Sequence, residues 1–106
     1  MDEALPGDLQ AWEELVVVKL GGTTLAQNEP VLAEVAHQAA RRSLVLVHGG
    51  GQRLTEWLAR LGVESRFEGG LRVTDDAALE VALAVFGGLV NGELVAALNG
   101  GGMAAV

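Results

Sequence analysis

The chain contains no cysteine and no tyrosine, two tryptophans, two phenylalanines and a single lysine, Lys19. Without thiols there is no disulfide framework, no thiolate metal site and no cysteine nucleophile. Two scattered histidines, His37 and His48, offer no metal-ligand spacing. Aromatic residues make up 4% of a chain that is 50% apolar, so its core has to be built from Val, Leu and Ala. Basic residues are also scarce: 7 against 14 acidic ones leave a formal net charge of −7. With no basic run beyond Arg41-Arg42, a nucleic-acid or anionic-membrane surface is not expected. The residues from Met1 to Asp8 are acidic and carry no apolar signal core. No apolar run reaches membrane-spanning length without a charge or a glycine. A cytoplasmic protein of 106 residues, one domain or part of one, is the expectation.

What is abundant is glycine, 15 residues in all, and its placement organises the chain. Residues 15–20 are Leu- and Val-rich without polar alternation, as in a strand of a parallel sheet covered on both faces. Asn28, Glu29 and Pro30 open a helix whose apolar positions are Val31, Leu32, Val35, Ala36 and Ala39, with Arg41 and Arg42 suited to its carboxyl-terminal end. Leu44 to Val47 form a second strand, and Leu54, Trp57, Leu58 and Leu61 form the apolar face of a helix stopped by Gly62. Two short extended runs, 63–67 and 71–74, joined through Glu68-Gly69-Gly70, predict a hairpin. A long apolar helix follows from Thr74 or Asp75 to about Leu98, interrupted at Gly87-Gly88, where either the helix breaks or another backbone comes close. Met103 to Val106 read as the start of a further strand. The βαβα order implies an α/β fold with parallel strands.

The glycine loops 21–22 and 49–51 each follow a strand and precede a helix, so they share the sheet edge where open α/β folds bind ligands. Their amides, with the following helix dipole, can hold phosphate or carboxylate oxygens. Neither loop matches a P-loop or a dinucleotide turn. Lys19, an ammonium at the end of a buried-looking strand, either adds a point charge to that edge or snorkels to water. Arg72 in the hairpin can grip a carboxylate through two parallel hydrogen bonds, or pair with Glu68 in solvent. His48 reads as a turn or packing residue, His37 as solvent-facing, and Trp57 as core. Asp75 and Asp76 read as helix-capping residues rather than a Mg²⁺ pair.

Val18-Lys19-Leu20-Gly21-Gly22, Val47-His48-Gly49-Gly50-Gly51 and Gly70-Leu71-Arg72-Val73-Thr74, in that order, resemble the amino-acid kinase family, and within it the kinases that phosphorylate N-acetyl-L-glutamate. The resemblance covers residues 15–106 and leaves 1–14 as an amino-terminal extension. It implies a three-layer αβα sandwich with a mainly parallel central sheet and a projecting β-hairpin. Family members are much longer, so the chain would be the amino-terminal, substrate-binding half, lacking the ATP-binding half and inactive alone. Carried over by resemblance, Lys19 stabilises the transferred phosphoryl group, Gly50 and Gly51 bind substrate through backbone amides, Gly21, Gly22 and Gly49 line the phosphate path, and Arg72 holds the substrate's α-carboxylate. ATP with Mg²⁺ would be the co-substrate, the product an acyl phosphate of arginine biosynthesis, and a homodimer or larger homo-oligomer would form through residues 75–98. Gly92 departs from the family's frequent lysine. The alternatives are a sibling kinase for an aminoadipate-type or other amino acid, and a non-catalytic amino-acid sensor of the same fold.

Overall fold

The structure is a computed structural model that describes residues 15–21 and 28–106. The proposed extension 1–14 and Gly22 lie outside the described residues. Strands β1 (Val16–Leu20) and β2 (Leu44–His48) pair in parallel, in register from Val16 opposite Leu44 to Leu20 opposite His48. Helix α1 (Glu29–Ala39) connects them. The side chain of Asn28 accepts a hydrogen bond from the Val31 N–H at 3.3 Å, and Pro30 occupies the first turn, where its missing N–H costs nothing. Arg41 and Arg42 fall beyond the helix end, and the exposed His37 takes the last turn instead.

The sheet alternates more than its sequence does. Val18, Leu20, Leu44 and Leu46 pack with Val31, Leu32 and Val35 of α1, while Val17, Val45 and Val47 stay exposed. The expected cover on both faces is therefore found on one face among the described residues. The α/β class, the parallel pairing and the hairpin are as the sequence implies.

Helix α2 (Gly51–Arg60) begins on the last glycine of its loop. Its end is a Schellman turn, because the Val63 N–H reaches the Leu58 carbonyl at 2.9 Å and the Gly62 N–H reaches that of Ala59 at 3.2 Å, with Gly62 at φ 70°. Leu54 and Leu58 are buried; Leu61, assigned by spacing to the same face, is exposed. Trp57 is half-buried, with the Arg60 guanidinium 5.0 Å from its ring centre. Strands β3 (Arg66–Glu68) and β4 (Leu71–Val73) form the hairpin around Gly69 and Gly70, whose φ of 56° and 80° are those of the tight two-residue turn matched to strand twist.

One helical rod runs on from there: α3 (Asp76–Leu83), a π-helical segment (Ala84–Val90) and α4 (Asn91–Gly100). Asp75 caps it, its carboxylate accepting from the Ala78 N–H at 2.9 Å. At Gly87-Gly88 the rod widens into the π turn rather than breaking, and a Cβ at either glycine would meet nothing within 4 Å. The first half of the rod, through Ala78, Ala82, Val85 and Val90, packs on Leu54 and Leu58 of α2; the second, through Leu94 and Leu98, packs with α1 and the sheet. The 25 residues Asp76–Gly100 are long and apolar enough to cross a membrane by length and composition. A stripe of buried residues, Ala78, Ala82, Val85, Val90, Leu94 and Leu98, packs into the protein core, while Leu79 and Leu83 on the outer side are exposed. Met103 to Val106 form no strand: Asn99 brackets Ala105, accepting from its N–H at 2.7 Å and donating to its carbonyl at 3.3 Å.

Candidate functional site

β2 delivers His48 to the sheet's carboxyl edge, and the chain then turns through Gly49 and Gly50 into α2. Gly50 stands at φ 143° against the π segment, and a Cβ there would come 2.9 Å from Cγ2 of Val90 and 3.4 Å from the Phe86 ring. A side chain there would be strained by the backbone angle and would have to displace Val90. Gly49 and Gly51 are open, and no side chain caps the amino terminus of α2. The first N–H groups of a helix have no acceptor within it, so this end offers donors and a positive dipole end to an anion.

The hairpin brings Arg72 to the same place. Its guanidinium donates to Ser65 Oγ at 2.6 Å, to Thr55 Oγ1 at 2.8 Å and to the Gly51 carbonyl at 3.3 Å, and it lies 4.7 Å from the centre of the Phe67 ring. The pairing with Glu68 weighed from the sequence does not form; hydroxyls and a carbonyl hold Arg72 instead, and among the described residues no carboxylate neutralises it. These bonds take up to three of its five donors, so a carboxylate seeking a two-bond grip has to exchange with one of them. Sequence reasoning missed Ser65, Thr55 and Phe67, because nothing local marks a hydroxyl that will later meet an arginine across a turn.

Lys19 is exposed on the uncovered face of β1, opposite Val47 in register, and Leu20 beside it is opposite His48. Register thus sets Lys19 and the open, exposed Gly21 at the same sheet edge as the 48–51 loop. The structure joins Gly51 and Arg72 by a direct contact; Lys19 it brings to the edge without one. Among the described residues no cluster of three or more His, Asp or Glu side chains could hold a metal.

Two further contacts brace the loop. Arg53 of α2 and Glu93 of α4 form a two-pronged ion pair at 2.6 and 3.1 Å. That hydrogen bond raises the Arg53 pKa and lowers that of Glu93 from their ordinary values. His48 lies between Asn91, whose Nδ2 is 3.1 Å from its Nε2, and the Gly49 carbonyl, 3.0 Å from its Nδ1. Asn91 is 43 residues away in sequence, a separation no local pattern reveals.

Residues 14–106 match the amino acid kinase family. The chain belongs to that family. The acetylglutamate kinase of Solibacter usitatus is 46% identical over 95 residues, covering 86% of this chain and 37% of that protein. That of Dehalococcoides mccartyi is 44% identical over 90 residues, covering 84% and 33%. Among solved structures, the crystal structure of smu.665 from Streptococcus mutans superposes with a TM-score of 0.74 at 26% identity, covering 87% of this chain and 38% of that one. This amino acid kinase chain therefore spans about a third of the length of the relatives it matches, and the 48–51 loop, the hairpin and Lys19 all fall inside the matched region.

Proposed function

We propose that the chain is the acid-binding part of an acetylglutamate kinase, which transfers the γ-phosphoryl group of ATP to the γ-carboxylate of N-acetyl-L-glutamate. The observation that carries this reading is Arg72, a cation without a carboxylate partner among the described residues, fixed against the first turn of α2. The names of the most similar relatives supply the substrate. A γ-carboxylate oxygen attacks the terminal phosphorus of ATP, the bond to the bridging oxygen breaks, and ADP leaves with its electron pair, giving an acyl phosphate. Such a transfer requires positioning and charge neutralisation rather than a covalent nucleophile. Lys19 faces the transferred phosphoryl oxygens, the amides of Gly50 and Gly51 hold substrate, Gly21, Gly22 and Gly49 line the phosphate path, and Arg72 holds the α-carboxylate. Mg²⁺ enters with the ATP phosphates, bound mostly by residues outside this chain, which alone does not turn over.

The exposed side of the 75–98 rod, led by Leu79 and Leu83, is the face through which two copies associate. Val85 and Val90 of the same rod are buried against α2 within the chain and take no part in that face.

The full-length protein tests the substrate assignment: acyl phosphate trapped as a hydroxamate should form with ATP and N-acetyl-L-glutamate, and Arg72→Lys should weaken binding of the acid about tenfold or more through loss of charged hydrogen bonds. Unchanged affinity by calorimetry removes Arg72 from the site. Turnover with an aminoadipate-type acid in preference would replace the substrate, and binding without phosphoryl transfer would make the protein a sensor.

A further inference from the structure

We propose that His48 and Asn91 form a positioning pair that sets the direction of the Gly50 N–H, the innermost amide of the candidate anion site. The inference rests on the kinase reading for what the amide binds, but the pair itself is a matter of geometry. A carbonyl oxygen can only accept, so the 3.0 Å contact from His48 Nδ1 to the Gly49 oxygen requires the proton on Nδ1. In the neutral ring Nε2 then carries a lone pair, and the amide nitrogen of Asn91, 3.1 Å away, donates to it. Both contacts are satisfied by one tautomer only. The Gly49 carbonyl requires the proton on Nδ1, and the amide of Asn91, by donating to Nε2, stabilises that tautomer.

The Gly49 carbonyl and the Gly50 N–H belong to one planar trans peptide and point in opposite directions. Fixing the oxygen on the His48 ring turns the N–H away from the ring. The other side of the plane is held by packing, because Gly50 sits against Val90 and Phe86 of the π segment, immediately before Asn91. The widened turn thus supplies both the surface on which Gly50 lies and the residue that orients His48. An isolated π turn inside a helix is commonly kept for such a purpose.

The test uses the full-length protein. Nitrogen NMR of the imidazole should show His48 with its proton on Nδ1, against the Nε2 form usual for a free ring. Asn91→Ala should release that preference, loosen the Gly50 amide in relaxation measurements, and raise the KM for N-acetyl-L-glutamate about tenfold while leaving the KM for ATP within about twofold. Asn91→Asp is the rescue. In acid its carboxylate faces a doubly protonated ring whose Nδ1–H still holds Gly49, so the KM stays near wild type there. In base the neutral ring turns its single proton to the carboxylate side, Nδ1 loses its hydrogen, and the KM rises. The other charged groups on β1, α2 and α4 are Lys19, the mutually paired Arg53 and Glu93, Glu56 and Arg60, which are the same in every variant. A wild-type His48 protonated on Nε2, or an Asn91→Ala protein with an unchanged Gly50 amide and unchanged KM, overturns the proposal. A protein that does not phosphorylate the acid but shows the Nδ1 tautomer and a Gly50 amide loosened by Asn91→Ala keeps the positioning pair and discards the kinase reading.

Discussion

A methyl group on Gly50 would have to share space with Cγ2 of Val90 while its backbone held a φ of 143°. Gly50→Ala is therefore expected to cost about 1–3 kcal/mol in urea unfolding, from backbone strain and overpacking together. Gly51→Ala, at a helical position with open space, should be close to neutral in the same measurement. Lys19 differs in kind, since it is exposed and the role proposed for it is chemical. Under the proposed activity, Lys19→Arg should leave the melting temperature unchanged and lower kcat on the order of 100-fold, with little change in KM, because a planar guanidinium does not replace a compact ammonium at moving phosphoryl oxygens. A KM effect without a kcat effect would move Lys19 from the reacting group to substrate binding. Arg72 illustrates how far the residue scale could be read in advance: its identity and hairpin position were legible, but its partners Ser65, Thr55 and Gly51 depend on how α2 meets the hairpin.

Elements are easier to read, because their ends carry their own chemistry. Asn28 and Asp75 cap the helices that follow them, Gly62 ends α2, and Gly69-Gly70 turn the hairpin, all through contacts within a few residues. The π segment was not legible in the same way. Gly87 and Gly88 mark a weak point in any helix, but nothing local tells whether the chain breaks, kinks or widens there, and the segment's Phe86 and Val90 meet Gly50, far away in sequence. The Arg53–Glu93 pair joins α2 to α4 across the same junction and gives an element-scale prediction. Glu93 is held below its ordinary pKa by Arg53, so the pair stabilises the fold fully above the unfolded carboxylate pKa, and that contribution disappears as pH falls through the lower folded value. Glu93→Gln should therefore lower the melting temperature slightly at pH 7, with the difference from wild type vanishing in acid. Because both groups are exposed, added salt should shrink it as well. A difference that persists in acid would assign the effect to packing rather than to charge.

At the scale of the whole molecule, the unfinished business is the outer side of the 76–100 rod. Leu79 is 48% exposed and Leu83 67%, and one helical turn further along the same line stand Gly87 and, beside it, Gly88, both open. Two leucines followed by two bare backbone positions make a ridge and a shallow saddle, a shape that two copies related by a two-fold axis can fill with each other. The glycines provide a test that separates this arrangement from a helix face covered by other parts of the same protein. Both adopt helical backbone angles and neither has a neighbour within 4 Å, so Gly87→Ala with Gly88→Ala should stabilise the subunit by up to about 2 kcal/mol through helix propensity alone. If a partner backbone lies in the saddle, the same two methyl groups must weaken association while they strengthen the fold. Leu79→Glu with Leu83→Glu should abolish association outright and leave a folded monomer, since neither side chain belongs to a buried cluster. Sedimentation of the full-length protein measures the one quantity and thermal unfolding the other. A dimer of unchanged affinity in both variants would place the interface elsewhere, and a monomeric wild type would leave the ridge to be covered from within its own chain.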